Sequence, residues 1–160
     1  MIKTVNGYRF TKEDGLALVD IRVDSVANAL AVLREQYTCQ GWEGIIPVMS
    51  AVQTVLDNFE LIEVVDAHGT SLVAYSAEIP WFTSESLLVE EFIVGDAALD
   101  TVVDALEAMA KAYGCTRLVL GTRAVRDAKH FALSKLYERT GCSVSCVELS
   151  KPIPNQPEHT

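Results

Sequence analysis

Residues 87–121 read Leu87-Leu88-Val89-Glu90-Glu91-Phe92-Ile93-Val94-Gly95, then DAALDTVVDALEAMAKAYG (96–114), then Cys115-Thr116-Arg117-Leu118-Val119-Leu120-Gly121. The first block is apolar except at Glu90-Glu91 and has the length of a strand, predicted over Leu87 to Val94. In the second, Leu99, Val102, Val103, Leu106, Ala110 and Tyr113 recur at helical spacing, with Asp96 as the expected cap and Gly114 as the stop. The third is a short apolar run, predicted as a strand over Thr116 to Gly121. Strand, long helix and strand in succession imply a parallel strand pair joined by a crossover helix, which places the chain in the α/β class.

The rest of the chain extends that layout. Ile2 to Val5 and Tyr8 to Thr11 flank Asn6-Gly7, the pair favoured in two-residue hairpin turns, and predict a small N-terminal hairpin. Leu16 to Val23 reads as a strand covered on both faces because it is almost wholly apolar. Asp24-Ser25 should cap a helix carried by Val26, Ala29, Leu30, Leu33 and Tyr37. Pro47 should open a second, carried by Val48, Val52, Val55, Leu56 and Phe59. Leu61 to Val65 and Ser71 to Ile79 read as strands turned at Ala67-His68-Gly69. Ala128 to Arg139 reads as a last helix closed by Gly141, and Ser143 to Leu149 as a last strand. Residues 1–150 therefore form one domain, and 151–160, with three of the five prolines, a tail without periodicity.

The resulting order, β-α-α-β-β-β-α-β-α-β, resembles that of the GNAT superfamily of N-acetyltransferases, a mixed central sheet flanked by helices. Glu90 to Val94, the helix after it and Gly114 to Leu120 resemble the family's central strand–helix–strand. Leu136-Tyr137-Glu138-Arg139-Thr140-Gly141-Cys142 resembles its L-Y-E-x-x-G-F ending, with Cys142 in the place of Phe. Trp81-Phe82 resembles GNAT-like proteins of tailed bacteriophages. The likeness spans residues 16–150. It implies an acetyl-CoA loop of the form R/Q-x-x-G-x-G/A, whose glycines let backbone N–H groups approach the pyrophosphate. Here that stretch is Val94 to Val102, with one glycine, no arginine, and Asp96 and Asp100 beside the expected phosphates.

Composition narrows the function further. The 160 residues are 49% apolar and 22% charged, with net charge −9 and pI near 4.7, so anionic partners such as nucleic acid or a lipid surface are repelled at long range. The start MIKTVNGYRF lacks the apolar segment of a signal peptide, and no apolar run is long enough to cross a bilayer, so a cytoplasmic protein is expected. Cys39, Cys115, Cys142 and Cys146 form no C-x-x-C pair, which predicts reduced, mostly buried thiols and no metal site. His68 and His159 have no nucleophile partner in view.

Two functions stand open. In the first, a GNAT-fold protein has lost acetyl transfer, uses no cofactor, and serves as a binding or assembly module with a protein partner or further copies of itself, in a host cytoplasm or a phage virion. In the second, it is an active acetyl-CoA-dependent N-acetyltransferase acting on a small-molecule or protein amine. The resemblance then implies Glu91 as general base, Tyr137 as proton donor to the thiolate, and Ile93, Val94, Gly95 and Ala97 against the cofactor. Each residue also has a plainer reading: Glu90 and Glu91 as a solvated pair on opposite faces of a strand, and Tyr137 as a core side chain. Between Lys111 and Arg139 there are seven Lys/Arg against two Asp/Glu. Arg123, Arg126, Lys129 and His130 in that stretch are either a patch for an anionic group or an exposed helix face.

Overall fold

The computed structural model describes residues 3–121, 135–145 and 151–154. The chain runs β1 (Thr4–Thr11), β2 (Gly15–Arg22), α1 (Val23–Cys39), α2 (Val48–Asn58), β3 (Glu60–Asp66), β4 (Gly69–Glu78), β5 (Leu87–Gly95), α3 (Leu99–Ala112) and β6 (Arg117–Val119). The strands form one mixed sheet in the order β2-β1-β3-β4-β5-β6. The β1–β3 and β5–β6 pairs are parallel, and the others are antiparallel.

Each sheet face carries its own core, as a layered α/β domain requires. On one face Phe10, Ile62, Val64, Val73, Tyr75 and Leu88 meet Val102, Leu106 and Met109 of α3. On the other, Ile21, Leu61, Leu72, Ala74 and Phe92 meet Val26, Leu30 and Leu33 of α1 and Val52 and Val55 of α2. Burying each large apolar side chain contributes roughly 1.5–3 kcal/mol before conformational entropy is counted, so these two layers hold the sheet between its helices.

The predicted hairpin of Ile2–Val5 with Tyr8–Thr11 does not form: Thr4–Thr11 is one continuous strand, and it pairs instead with β2. Asn6-Gly7 sits in mid-strand, where Gly7 pairs with Val19. A Cβ on Gly7 would collide with the Ile21 side chain and come within 3.0 Å of the Leu61 carbonyl. This glycine serves close packing between strands rather than a turn. The chain reverses at Thr11–Gly15 instead, where the Thr11 hydroxyl accepts the Asp14 N–H at 3.1 Å. Nor is the second strand covered on both faces. β2 is an outer edge of the sheet, and Leu18 on it is 75% exposed while Ile21 is fully buried.

Helix starts also differ from expectation. α1 begins at Val23 without a side-chain cap, so Asp24 falls inside its first turn. α3 begins at Leu99, three residues past Asp96, which does not cap it. β6 is shorter than the predicted 116–121, and Cys39 is exposed rather than buried. Residues 135–139 are helical and end as foreseen at Gly141, where the N–H groups of Gly141 and Cys142 bond the carbonyls of Glu138 and Tyr137. Ser143–Ser145 show no strand. Residues 146–149 of that predicted strand lie outside the described residues, as do Arg123, Arg126, Lys129, His130 and His159.

Candidate ligand-binding site

The parallel pair β5–β6 is short. Only Leu87–Val89 pair with Arg117–Val119, so β5 continues through Glu90–Gly95 with no β6 beside it. Opposite, β4 pairs Ala74 with Phe92 and Tyr75 with Glu90, which leaves Glu91 as an extra, unopposed residue. This bulge changes the parity of the strand. Leu88 packs on the α3 face and Phe92 on the α1–α2 face, although strict alternation would put residues four apart on the same face.

The bulge brings Glu91 and Phe92 into the lining of one cavity of about 280 Å³, walled by α1, α2 and the Ile45–Ile46 segment between them. Its wall is apolar apart from Glu91, Arg34 and Thr54, with Leu33, Tyr37 and Phe59 as its larger members. The Arg34 Nε–H is turned to the Ile46 carbonyl at 3.3 Å, which ties α1 to the segment before α2. A carboxylate in a mainly apolar wall, with Arg34 on the same wall, can hold the cationic group of a ligand.

At the end of β5 the backbone turns down against the β3–β4 hairpin. Gly95 has φ +138°, and a Cβ there would collide with the Thr70 carbonyl oxygen and meet the Ser71 Cα at 2.6 Å. Three consecutive N–H groups are then bonded within the chain. Asp96 donates to the Thr70 carbonyl at 3.3 Å, Ala97 to the Ser71 hydroxyl at 3.0 Å, and Ala98 to Asp66 Oδ2 at 2.8 Å. The other oxygen of Asp66 takes the His68 and Gly69 N–H groups at 2.8 and 3.2 Å, closing the hairpin turn. Partial burial draws the Asp66 pKa upward, but bonds from Ala98, the Thr101 hydroxyl, His68 and Gly69 outweigh it and hold the carboxyl below its ordinary value.

No family model matches the chain, and no curated protein matches it in sequence. Solved structures do match. HMB0005, an aminoglycoside acetyltransferase from an uncultured soil metagenomic sample, aligns at TM-score 0.54 and 16% identity, over 82% of this chain and 92% of its own. The aminoglycoside acetyltransferase meta-AAC0020, also from soil and solved in complex with trehalose, gives 0.54 at 12% identity over the same shares. The tetramutant of BH1408 from Bacillus halodurans gives 0.54 at 12% identity over 96% of this chain and 99% of its own. The fold is GNAT-like.

Within the GNAT-like sheet the other predicted residues separate. Ile93 packs toward α3 and Val94 toward α1, on opposite faces. Gly95 is exposed, and Ala97 is half-buried with its N–H engaged. Tyr137 is buried and is not among the residues lining the Glu91 cavity. Asp100 and Asp104 both face Lys12, at 3.4 and 3.8 Å, so part of the negative charge expected at the loop is paired. Trp81 and Phe82 stand 96% and 71% exposed, edge to face, at the far end of β4. Between Arg34 and Lys111 the sequence contains no lysine or arginine, so every formal charge of α2, β3, β4, β5 and the body of α3 is negative. Sequence reasoning missed Asp66 and Ser71. Asp66, three residues before Gly69, carries only the signature of its own turn, and the second bond, across 32 residues, has no local trace.

Proposed function

We propose that this chain is a GNAT-fold binding and assembly module that does not turn over acetyl-CoA. The observation that carries the reading is the loop after β5. Its Asp96, Ala97 and Ala98 N–H groups, placed where a strand-to-helix turn would cradle a pyrophosphate, are already bonded to Thr70, Ser71 and Asp66. A ligand phosphate would have to break those bonds and sit among carboxylates. The pocket at Glu91 remains available to an apolar ligand with a basic group. The exposed Trp81-Phe82 pair, which carries the phage resemblance, offers an aromatic anchor to a protein partner. Isothermal titration with acetyl-CoA tests the reading. The expected dissociation constant lies above ~1 mM, less than about 4 kcal/mol of binding, and micromolar affinity would overturn it.

One observation favours the second reading, an active N-acetyltransferase. Glu91 lines a cavity beside the unpaired part of β5, where a general base for an amine would be wanted. Release of thiol from acetyl-CoA by the wild-type chain, abolished in Glu91→Gln, would establish it.

A further inference from the structure

We infer that Asp66 sets what the loop after β5 can accept: its carboxylate is a resident anion on the N–H of Ala98, the residue before α3, and it excludes phosphate-bearing ligands while tolerating neutral or cationic ones. The inference deepens the reading above and rests on it. It concerns which residue is responsible and what class of ligand follows.

The argument begins with helix ends. The first N–H groups of a helix lack partners within it and, with the helix dipole, attract negative charge. Here part of the need is met from within the chain. Ala98, the residue before α3, donates to Asp66 Oδ2 at 2.8 Å, and the buried Thr101 hydroxyl in the first turn bonds the same carboxylate. The Thr101 N–H is taken by Asp100 Oδ1 at 2.9 Å. Among the described residues no cation lies within ion-pair distance of Asp66, whereas Asp100 and Asp104 share Lys12. Among the described residues the charge of Asp66 is therefore balanced by N–H and O–H dipoles, which an incoming anion would have to share.

Asp66 is also hard to displace. Its second oxygen holds the His68 and Gly69 N–H groups, so swinging the side chain away would open the β3–β4 turn as well. Beside it, Gly95 lies against Thr70 and Ser71 with no room for a Cβ, which fixes the loop over the hairpin. Two full charges about 5 Å apart in a partly screened site repel enough to weaken binding on the order of a hundredfold. A neutral or cationic group meets no such barrier.

The test compares Asp66→Asn, which keeps a short hydrogen-bonding side chain without charge, with Asp66→Glu, which keeps the charge. Each is titrated calorimetrically with inorganic pyrophosphate and with acetyl-CoA, and its fold is checked by circular dichroism. Exchange of the Ala98 amide is followed by NMR in wild type and variants. The expected result is no pyrophosphate binding below 1 mM for wild type and Asp66→Glu, at least tenfold tighter binding for Asp66→Asn, and an Ala98 amide protected in wild type and faster in Asp66→Asn. A folded Asp66→Asn that exposes Ala98 but gains no pyrophosphate affinity overturns the inference and leaves the absence of acetyl-CoA binding standing. So does a wild-type Ala98 amide that exchanges like an open loop, a measurement that needs no variant to fold. Micromolar acetyl-CoA binding by wild type overturns the proposed function itself.

Discussion

Asp66 ties stability to pH in a direction that can be worked out. Its folded pKa lies below the ordinary 3.8. The ionised form is therefore favoured by folding, and its contribution is complete above that value. It is lost as pH falls through the lower folded pKa. Thermal unfolding of wild type and Asp66→Asn should therefore differ most near neutral pH and converge only once pH has fallen through the lowered folded pKa. A constant gap across the range would show that the bonds matter and the charge does not. Tyr75 makes the opposite case. Its hydroxyl is fully buried on the α3 face and makes no hydrogen bond of good geometry among the described residues, although the Tyr113 ring stands edge-on with centroids 6.1 Å apart. Burial, followed by the neighbourhood of Tyr113 and Glu60, drives its pKa far up, so the phenol stays neutral. An unpaired buried donor is costly, so Tyr75→Phe should leave the protein as stable or raise its stability by about 1 kcal/mol. Denaturant titration would show it, and a clear loss would mean that the hydroxyl has a partner in solution.

Among the elements, β5 carries the most consequence. Deleting Glu91 would remove the bulge and restore regular alternation, with Glu90 still opposite Tyr75 and Phe92 still opposite Ala74 in the core it shares with Leu30 and Leu33. Phe92→Ala should cost about 3–5 kcal/mol, as for loss of a buried phenylalanine, read by denaturant titration, whereas Glu91→Gln should leave the thermal midpoint within about two degrees. Gly95→Ala places a methyl group on the Thr70 carbonyl at a φ that side chains rarely adopt, and should cost about 2–4 kcal/mol. These differences mark what the sequence could and could not say. The apolar stripe of α3, the Ala67-His68-Gly69 turn and the two strands around α3 were legible because periodicity and turn chemistry are local. The bulge was not, since an extra residue in an apolar strand leaves no mark in its own composition. Asn6-Gly7 misled for a related reason: Gly7 is small because Ile21 and the Leu61 carbonyl crowd it from neighbouring strands, and its sequence neighbours show only a turn pair. Of the site, the place of Glu91 was read from its strand, while Asp66 and Ser71 act through bonds to a loop far along the chain.

Over the whole molecule, exposed apolar groups gather at places that the cores do not need. Ile153 in the tail is 79% exposed, and its prolines cannot extend the sheet as a regular strand. Deleting residues 152–160 should therefore leave the thermal midpoint nearly unchanged and weaken any assembly seen by sedimentation. If the isolated chain unfolds instead, the tail is a structural strap. Among the described residues nothing pairs with the outer edge of β2, and Leu18 on that strand is bare to solvent. The charge distribution of the middle of the chain has a consequence at the bench. Trypsin cuts after lysine and arginine, and between Glu35 and Lys111 it has no bond to cut. A complete digest would leave α2, β3, β4, β5 and nearly all of α3 on one long peptide. Modifications on the Glu91 strand or the Asp66 hairpin would all appear in that single large fragment, and an enzyme that cleaves after glutamate would be needed to separate them.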